Sequence, residues 1–189
     1  MDEENKIVAT TTTQKKNIWG VLALLIVCIA VMFGTWYFSR TYLEAYPIEG
    51  SSMYPTINDE DFALIFKTKK VKYDDVFIFY RPEEDKYLVK RVIGLAGDKI
   101  DITYSAEDGL FHVYRNGKML SEDYINEPID NHNGTYNELS VTVPEGKIFY
   151  LGDNRMHSTD SHYGYFFADV DNVQGKAFLK YKGWKIKFL

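Results

Sequence analysis

Two patterns of hydrophobic and polar positions divide the chain. From Ile18 to Phe38 (IWGVLALLIVCIAVMFGTWYF) no charged residue occurs, and Lys16 and Arg40 bracket the run. Twenty-one residues at about 1.5 Å each reach roughly 31 Å, the thickness of a bilayer's hydrocarbon core. A helix is the one way a lone segment satisfies its backbone polar groups in lipid. Trp19 at one end and Trp36-Tyr37 at the other stand where amphipathic rings prefer the interface. A cleaved secretory leader has a shorter apolar core and small residues at its exit. This run leaves through Trp36, Tyr37, Phe38 and Tyr42, so the pattern predicts a transmembrane anchor. Lys6, Lys15 and Lys16 precede it and Arg40 alone follows closely. The positive-inside rule then predicts a cytoplasmic tail over 1–17, a span over 18–38 and an extracytoplasmic domain over 39–189. The Thr-rich leader (ATTTTQKK) is expected to have no fold of its own.

Beyond the anchor, continuous apolarity gives way to short runs rich in β-branched and aromatic residues. Strands are expected within Asp61–Lys67, Val71–Tyr80, Lys86–Ile93, Leu110–Leu120, Leu139–Val143, Lys147–Leu151 and Lys176–Phe188. Asn116-Gly117 inside the fourth run is a strong hairpin signal. Helical periodicity is weak there, so the exported part is read as one mainly β domain.

Composition narrows the function classes. The chain has 189 residues, 46% of them hydrophobic, with 15 Tyr and 12 Phe, enough apolar surface for a core. A net charge of −5 suits duplex nucleic acid poorly, because phosphates call for clustered cations. The single cysteine, Cys28, lies in the apolar run, so no intramolecular disulfide or cysteine metal site exists.

Three constellations carry candidate chemistry. The first, Pro47-Ile48-Glu49-Gly50-Ser51-Ser52-Met53-Tyr54-Pro55-Thr56, reads as a Gly-containing turn that exposes a hydroxyl, or as a Ser-rich surface loop. The second places Lys90 within an apolar run, Tyr87 to Asp98. Burial disfavours an ammonium and lowers its pKa, and a lysine tuned down in this way acts as a general base near neutrality. A lysine pointing to water from an edge strand fits the same letters. The third, Tyr150 to Gly164, is dense in hydrogen-bonding side chains straight after a strand.

Taken in order, these segments resemble the serine, lysine and Gly-Asp-Asn-Arg boxes of bacterial type I signal peptidases, the leader peptidases of the Ser/Lys-dyad family S26. The resemblance covers essentially the whole chain. It implies a signal-peptidase-like β-domain and a serine endopeptidase that removes signal peptides from exported preproteins after small residues (Ala-x-Ala-like). Ser52 would be the nucleophile and Lys90 its general base. The Ser52 backbone N–H would serve an oxyanion hole, and Ser158 would hydrogen-bond the Lys90 amine. Arg91 would pair with Asp153, and with Asp160 this pair would support the dyad. Ile48, Met53, Ile57, Leu88 and Val89 would line two shallow substrate pockets. The implied partners are signal peptides and the lipid bilayer of the cell membrane, with no nucleic acid, no metal and no cofactor.

Three positions depart from the family pattern. Gly50 stands where some members carry an oxyanion-stabilising hydroxyl. His162 replaces an Arg, leaving the partner of Asp160 open, and Ala96 replaces a Pro. His157 and His162 raise a Ser-His alternative, against which Lys90 occupies the base position. His112 and His132 lie outside the boxes, and Asn133-Gly134-Thr135 fits a sequon but is expected to be only a turn. A non-catalytic relative that assists assembly of pilins or exported proteins is the main rival, yet Ser52, Lys90 and Ser158 are all present.

Overall fold

A computed structural model describes residues 2–130, 136–164 and 167–189 of the chain. His132 and the Asn133-Gly134-Thr135 sequon lie outside the described residues.

The chain divides into two units, 1–42 and 43–189. The first is one helix, α1 (Asp2–Tyr42). It carries the expected apolar run within a 25-residue stretch, Ile18–Tyr42, none of which is buried in the protein. Leu24, Ile26, Met32 and Trp19 are all well exposed, so the helix is apolar all round and fits a transmembrane anchor. The leader expected to lack structure continues the same helix. Once a long helix is nucleated, adding residues costs little even for modest helix formers such as Thr.

The second unit is mainly β, as the pattern predicts. Its strands are β1 (Leu43–Pro47), β2 (Phe62–Lys67), β3 (Val76–Arg81) and β4 (Lys86–Leu95). Then follow β5 (Lys99–Ser105), β6 (Leu110–Arg115), β7 (Lys118–Met119), β8 (Ile129–Asp130) and β9 (Leu139–Thr142). The last are β10 (Lys147–Leu151), β11 (Ala168–Asp169), β12 (Val173–Lys182) and β13 (Lys185–Phe188). One sheet runs β1-β2-β12-β3-β4-β10-β11 with β13 beside β12, and the other runs β7-β6-β5-β9 with β8 beside β6.

Two sequence runs settle differently from expectation, and a third, Leu110–Leu120, turns where its hairpin signal predicts. The Val71–Tyr80 run yields only β3, because Asp75 Oδ2 accepts the Lys72 N–H at 2.9 Å and Asp74 turns with φ 65°. That carboxylate offers the backbone a turn in place of a strand ladder. The Leu110–Leu120 run folds back at Asn116 (φ 53°) and Gly117 (φ 76°), the pair of positive φ values that a tight hairpin turn requires. The Lys176–Phe188 run begins earlier, at Val173, and reverses at Gly183.

Strand β4 joins the layers. Its first half pairs with β3, and from Arg91 onward it pairs with β10. Apolar side chains fill three clusters around it. Ile93 packs with Ile100, Phe111, Phe149 and Leu151, Val92 with Phe77 and Tyr150, and Val89 with Met53, Ile57 and Ile65. The strand is thereby buried on both faces, and a lysine in its middle must lose its water.

Candidate active site

Ser52 sits in the turn between β1 and β2. Gly50 opens that turn with φ 90°, a conformation that strains any residue with a Cβ, and its N–H is held by Asp59 Oδ1 at 2.8 Å. The Tyr54 N–H then bonds the Ser51 carbonyl (3.0 Å) and the Ile57 N–H bonds the Met53 carbonyl (2.8 Å). Met53 and Ile57 are fully buried and plug the core beneath, which pins the loop and leaves Ser52 partly exposed above it. From β4, the Lys90 amine reaches the Ser52 hydroxyl at 2.7 Å.

Lys90 is 3% exposed. Desolvation pushes its pKa down from the ordinary lysine value to about 8, against the attraction of Asp160 and Asp153. A buried amine poised to be neutral, in contact with a hydroxyl, is what a proton acceptor for that hydroxyl requires.

Behind the pair stands the segment that follows β10. Arg91 makes a bidentate pair with Asp153, Nε to Oδ1 at 2.7 Å and the terminal nitrogen to Oδ2 at 2.6 Å, and a third bond to the Asp74 carbonyl at 2.7 Å. Thr56, from the nucleophile loop, donates a short bond to the same Asp153 Oδ2. The Asn154 N–H bonds the Ser52 carbonyl at 3.0 Å, and its side-chain amide bonds the Ser51 carbonyl at 3.1 Å. Gly152 is needed for this approach, since a Cβ there would stand 2.5 Å from the Ser52 carbonyl oxygen.

Asp160 is 2% exposed and accepts the N–H groups of Gly152 (3.0 Å) and His162 (3.1 Å). Burial pushes its carboxyl up, while those bonds, Ser158 and the charge of Lys90 pull it down. The partner left open by His162 is thus backbone and Lys90. The His162 ring stacks on Tyr136 at 3.9 Å between centroids, with Nε2 2.7 Å from the Asn137 carbonyl. Ser158 departs from expectation. Its Oγ is buried and makes no hydrogen bond of ordinary geometry to Lys90 or to any other described group. The Lys90 amine is turned to Ser52, and Ser158 stands instead beside Asp160.

A cleft of about 630 Å³ opens over Ser52 and Lys90. Ile48, Ile78, Leu88 and Val89 form its apolar wall, and Tyr46 and Tyr87, 5.2 Å apart, form part of its rim. Ile48, Leu88 and Val89 thus line the same cleft as Ser52 and Lys90. Met53 and Ile57 do not line the cleft, because their side chains are spent on the core under the loop. His157 is exposed on the cleft, and among the described residues no His lies in hydrogen-bond contact with Ser52. No group of three His, Cys, Asp or Glu side chains suited to a metal occurs among the described residues.

The family model for signal peptidase, peptidase S26, matches residues 17–184 of the chain. The chain belongs to this family. Signal peptidase I of Bacillus licheniformis is 34% identical over 176 residues, covering 87% of this chain and 89% of that one. Signal peptidase IB of Staphylococcus aureus (strain COL) is 31% identical over 184 residues, covering 88% and 91%. The crystal structure of a signal peptidase I from Enterococcus faecalis V583 matches with a TM-score of 0.46 at 31% identity, over 57% of this chain and 96% of that one.

Several contacts in this S26 peptidase's site carried no signal that sequence reading used. Arg155 is 2% exposed, bonds the Gly152 carbonyl (3.0 Å) and pairs with Glu122 (2.9 Å). Tyr124 stacks on the Arg91 guanidinium, 3.9 Å from ring centroid to carbon. Glu122 and Tyr124 belong to a stretch, residues 101–145, that offered no functional pattern. The available clue was Arg155 itself, since an arginine inside a buried box demands a carboxylate somewhere in the chain.

Proposed function

We propose that the chain removes signal peptides from exported preproteins as a membrane-anchored serine endopeptidase, with Ser52 attacking and Lys90 accepting its proton. The observation that carries this reading is the buried Lys90 amine 2.7 Å from the Ser52 hydroxyl. Neutral Lys90 takes the hydroxyl proton as Ser52 Oγ bonds to the scissile carbonyl carbon. The resulting ammonium then gives that proton to the leaving amine as the peptide bond breaks, which leaves an ester on Ser52. Lys90, neutral again, takes a proton from water as the water oxygen attacks the ester, and the ammonium returns a proton to Ser52 Oγ when the acid is released. The Ser52 N–H has no hydrogen-bond partner among the described residues and is available to the developing oxyanion. A preorganised donor of this kind is typically worth ~10²–10³ in rate.

The apolar wall of Ile48, Ile78, Leu88 and Val89 favours small apolar side chains beside the scissile bond, because larger ones meet a packed surface. The α1 anchor places enzyme and tethered preprotein in one bilayer, which raises their effective concentration. Residues 1–17 form the cytoplasmic tail, the span starts at Ile18, and the β-domain faces outward as in a single-pass type II protein of the cell membrane.

The test is cleavage of a preprotein by the detergent-solubilised full chain, with products read by mass spectrometry. Wild type should cut after an Ala-x-Ala site and fail when the residue before the cut is changed to Trp, and Ser52→Ala should be inert. Activity retained by Ser52→Ala, or a folded wild type that binds preproteins without cutting them, sinks the proposal.

A further inference from the structure

The segment between β7 and β8 grips the residues that surround the Ser52–Lys90 pair at three points, Arg155, Arg91 and Asp153. Glu122 holds Arg155 through both carboxylate oxygens, at 2.9 and 2.5 Å. The Tyr124 hydroxyl donates to Glu122 at 3.2 Å while its ring covers the face of the Arg91 guanidinium. The Asn126 N–H bonds the Asp153 carbonyl at 3.3 Å. Each gripped residue is one bond network from the reacting atoms. Arg91 adjoins Lys90 on β4, and Asp153 takes Thr56 of the nucleophile loop. Asn154, between Asp153 and Arg155, holds the Ser52 carbonyl.

We infer that residues 121–127 act as a strap that positions the dyad, with the Tyr124 ring and the Glu122 carboxylate as its two positioning groups. The inference rests on the Ser52–Lys90 reading of the site. An arginine already committed in its own plane to Asp153 and the Asp74 carbonyl has only its flat faces left. The Tyr124 ring takes one of them, attracts the cation and keeps water from the Arg91–Asp153 pair. Glu122 is 90% covered at its side chain and neutralises Arg155, which is buried beside Gly152 and whose charged form is strongly favoured by this carboxylate. The strap thus ties the strand that carries the base, through Arg91, to the segment after β10 whose Asp153 and Asn154 hold the turn that carries the nucleophile. Neither Glu122 nor Tyr124 lines the cleft, so the strap acts on the chemical step and leaves substrate binding alone.

Misplacing reacting groups by about 1 Å costs on the order of 10²-fold in rate, and loosening one of three grips is expected to cost about tenfold. The experiment compares Tyr124→Leu, Tyr124→Phe and Glu122→Gln with wild type and Ser52→Ala as full chains in detergent. It reads kcat and KM for preprotein cleavage, with circular dichroism to confirm the fold. Tyr124→Leu should lose about tenfold in kcat with KM within about twofold of wild type. Tyr124→Phe keeps the ring on Arg91 and should stay within about threefold in kcat. Glu122→Gln keeps its shape but loses charge, and should lower kcat with KM unchanged; it carries the test if Tyr124→Leu does not fold. Wild-type kcat in both Tyr124→Leu and Glu122→Gln overturns the strap, as does a loss confined to KM or an equal loss in the Leu and Phe variants. Should Ser52→Ala remain active, the dyad reading itself has failed; with Ser52→Ala inert, those outcomes remove the strap alone.

Discussion

Lys90→Met is expected to lower kcat/KM for preprotein cleavage by about 10⁴-fold while leaving the domain at least as stable as wild type. The activity loss follows because, among the described residues, the Ser52 hydroxyl touches one base, the Lys90 amine, and an ordinary serine is almost wholly protonated without one. The stability half of the expectation follows from burial. Lys90 lies 3% exposed on a strand packed on both faces, and desolvation already disfavours its charge. A methionine of similar length fills the space without that penalty. Steady-state kinetics and a thermal melt on the same preparation check both halves. A variant with both activity and stability lost would show only that Lys90 is needed for packing.

Asp153→Ala is expected to have the largest effect on stability, about 3–5 kcal/mol, because it strands a buried Arg91 whose bidentate partner is gone. Asp153 is fully buried, and its second oxygen also holds Thr56, so the substitution leaves a donor on the nucleophile loop unpaired as well. For a domain of this size each kcal/mol lowers the melting temperature by roughly 2–4 °C, so a fall of about 10 °C is anticipated. Urea denaturation of the full chain in detergent measures it, and a change under about 1 kcal/mol contradicts the network described here. Activity should fall with it, since Arg91 neighbours Lys90.

Much of this was legible from local pattern. The anchor shows as an uncharged run, the hairpin at Asn116-Gly117 as two residues that tolerate positive φ, and the mainly β domain as short runs of β-formers. The Gly turn around Ser52 and the apolar run around Lys90 fit a surface loop and an edge strand equally well, and only the resemblance of the ordered boxes to the family singled out the two residues, which the fold brings together from 38 residues apart. What stayed hidden depends on contacts that no local window contains. Thr56 meets Asp153 across 97 positions, and Arg155 meets Glu122 across 33. The family resemblance placed Met53 and Ile57 in the substrate pocket, whereas in this loop, which leaves Ser52 partly exposed, their side chains are buried in the core beneath. Ser158 was expected on the Lys90 amine, yet its Oγ is buried without a hydrogen bond of ordinary geometry, and Asp160, two residues on, supplies attraction to Lys90 by charge.

The most direct test is the pH dependence of kcat/KM for the wild-type chain, with His157→Ala measured alongside. Lys90 works as a base only when neutral, so activity should rise with pH through a midpoint near 8. At pH 8 about half of such a lysine is neutral, against about 0.4% of one with an ordinary pKa near 10.4. The account predicts that midpoint in both proteins. A midpoint near 6.5 that His157→Ala abolishes together with activity would assign the base to histidine and contradict it.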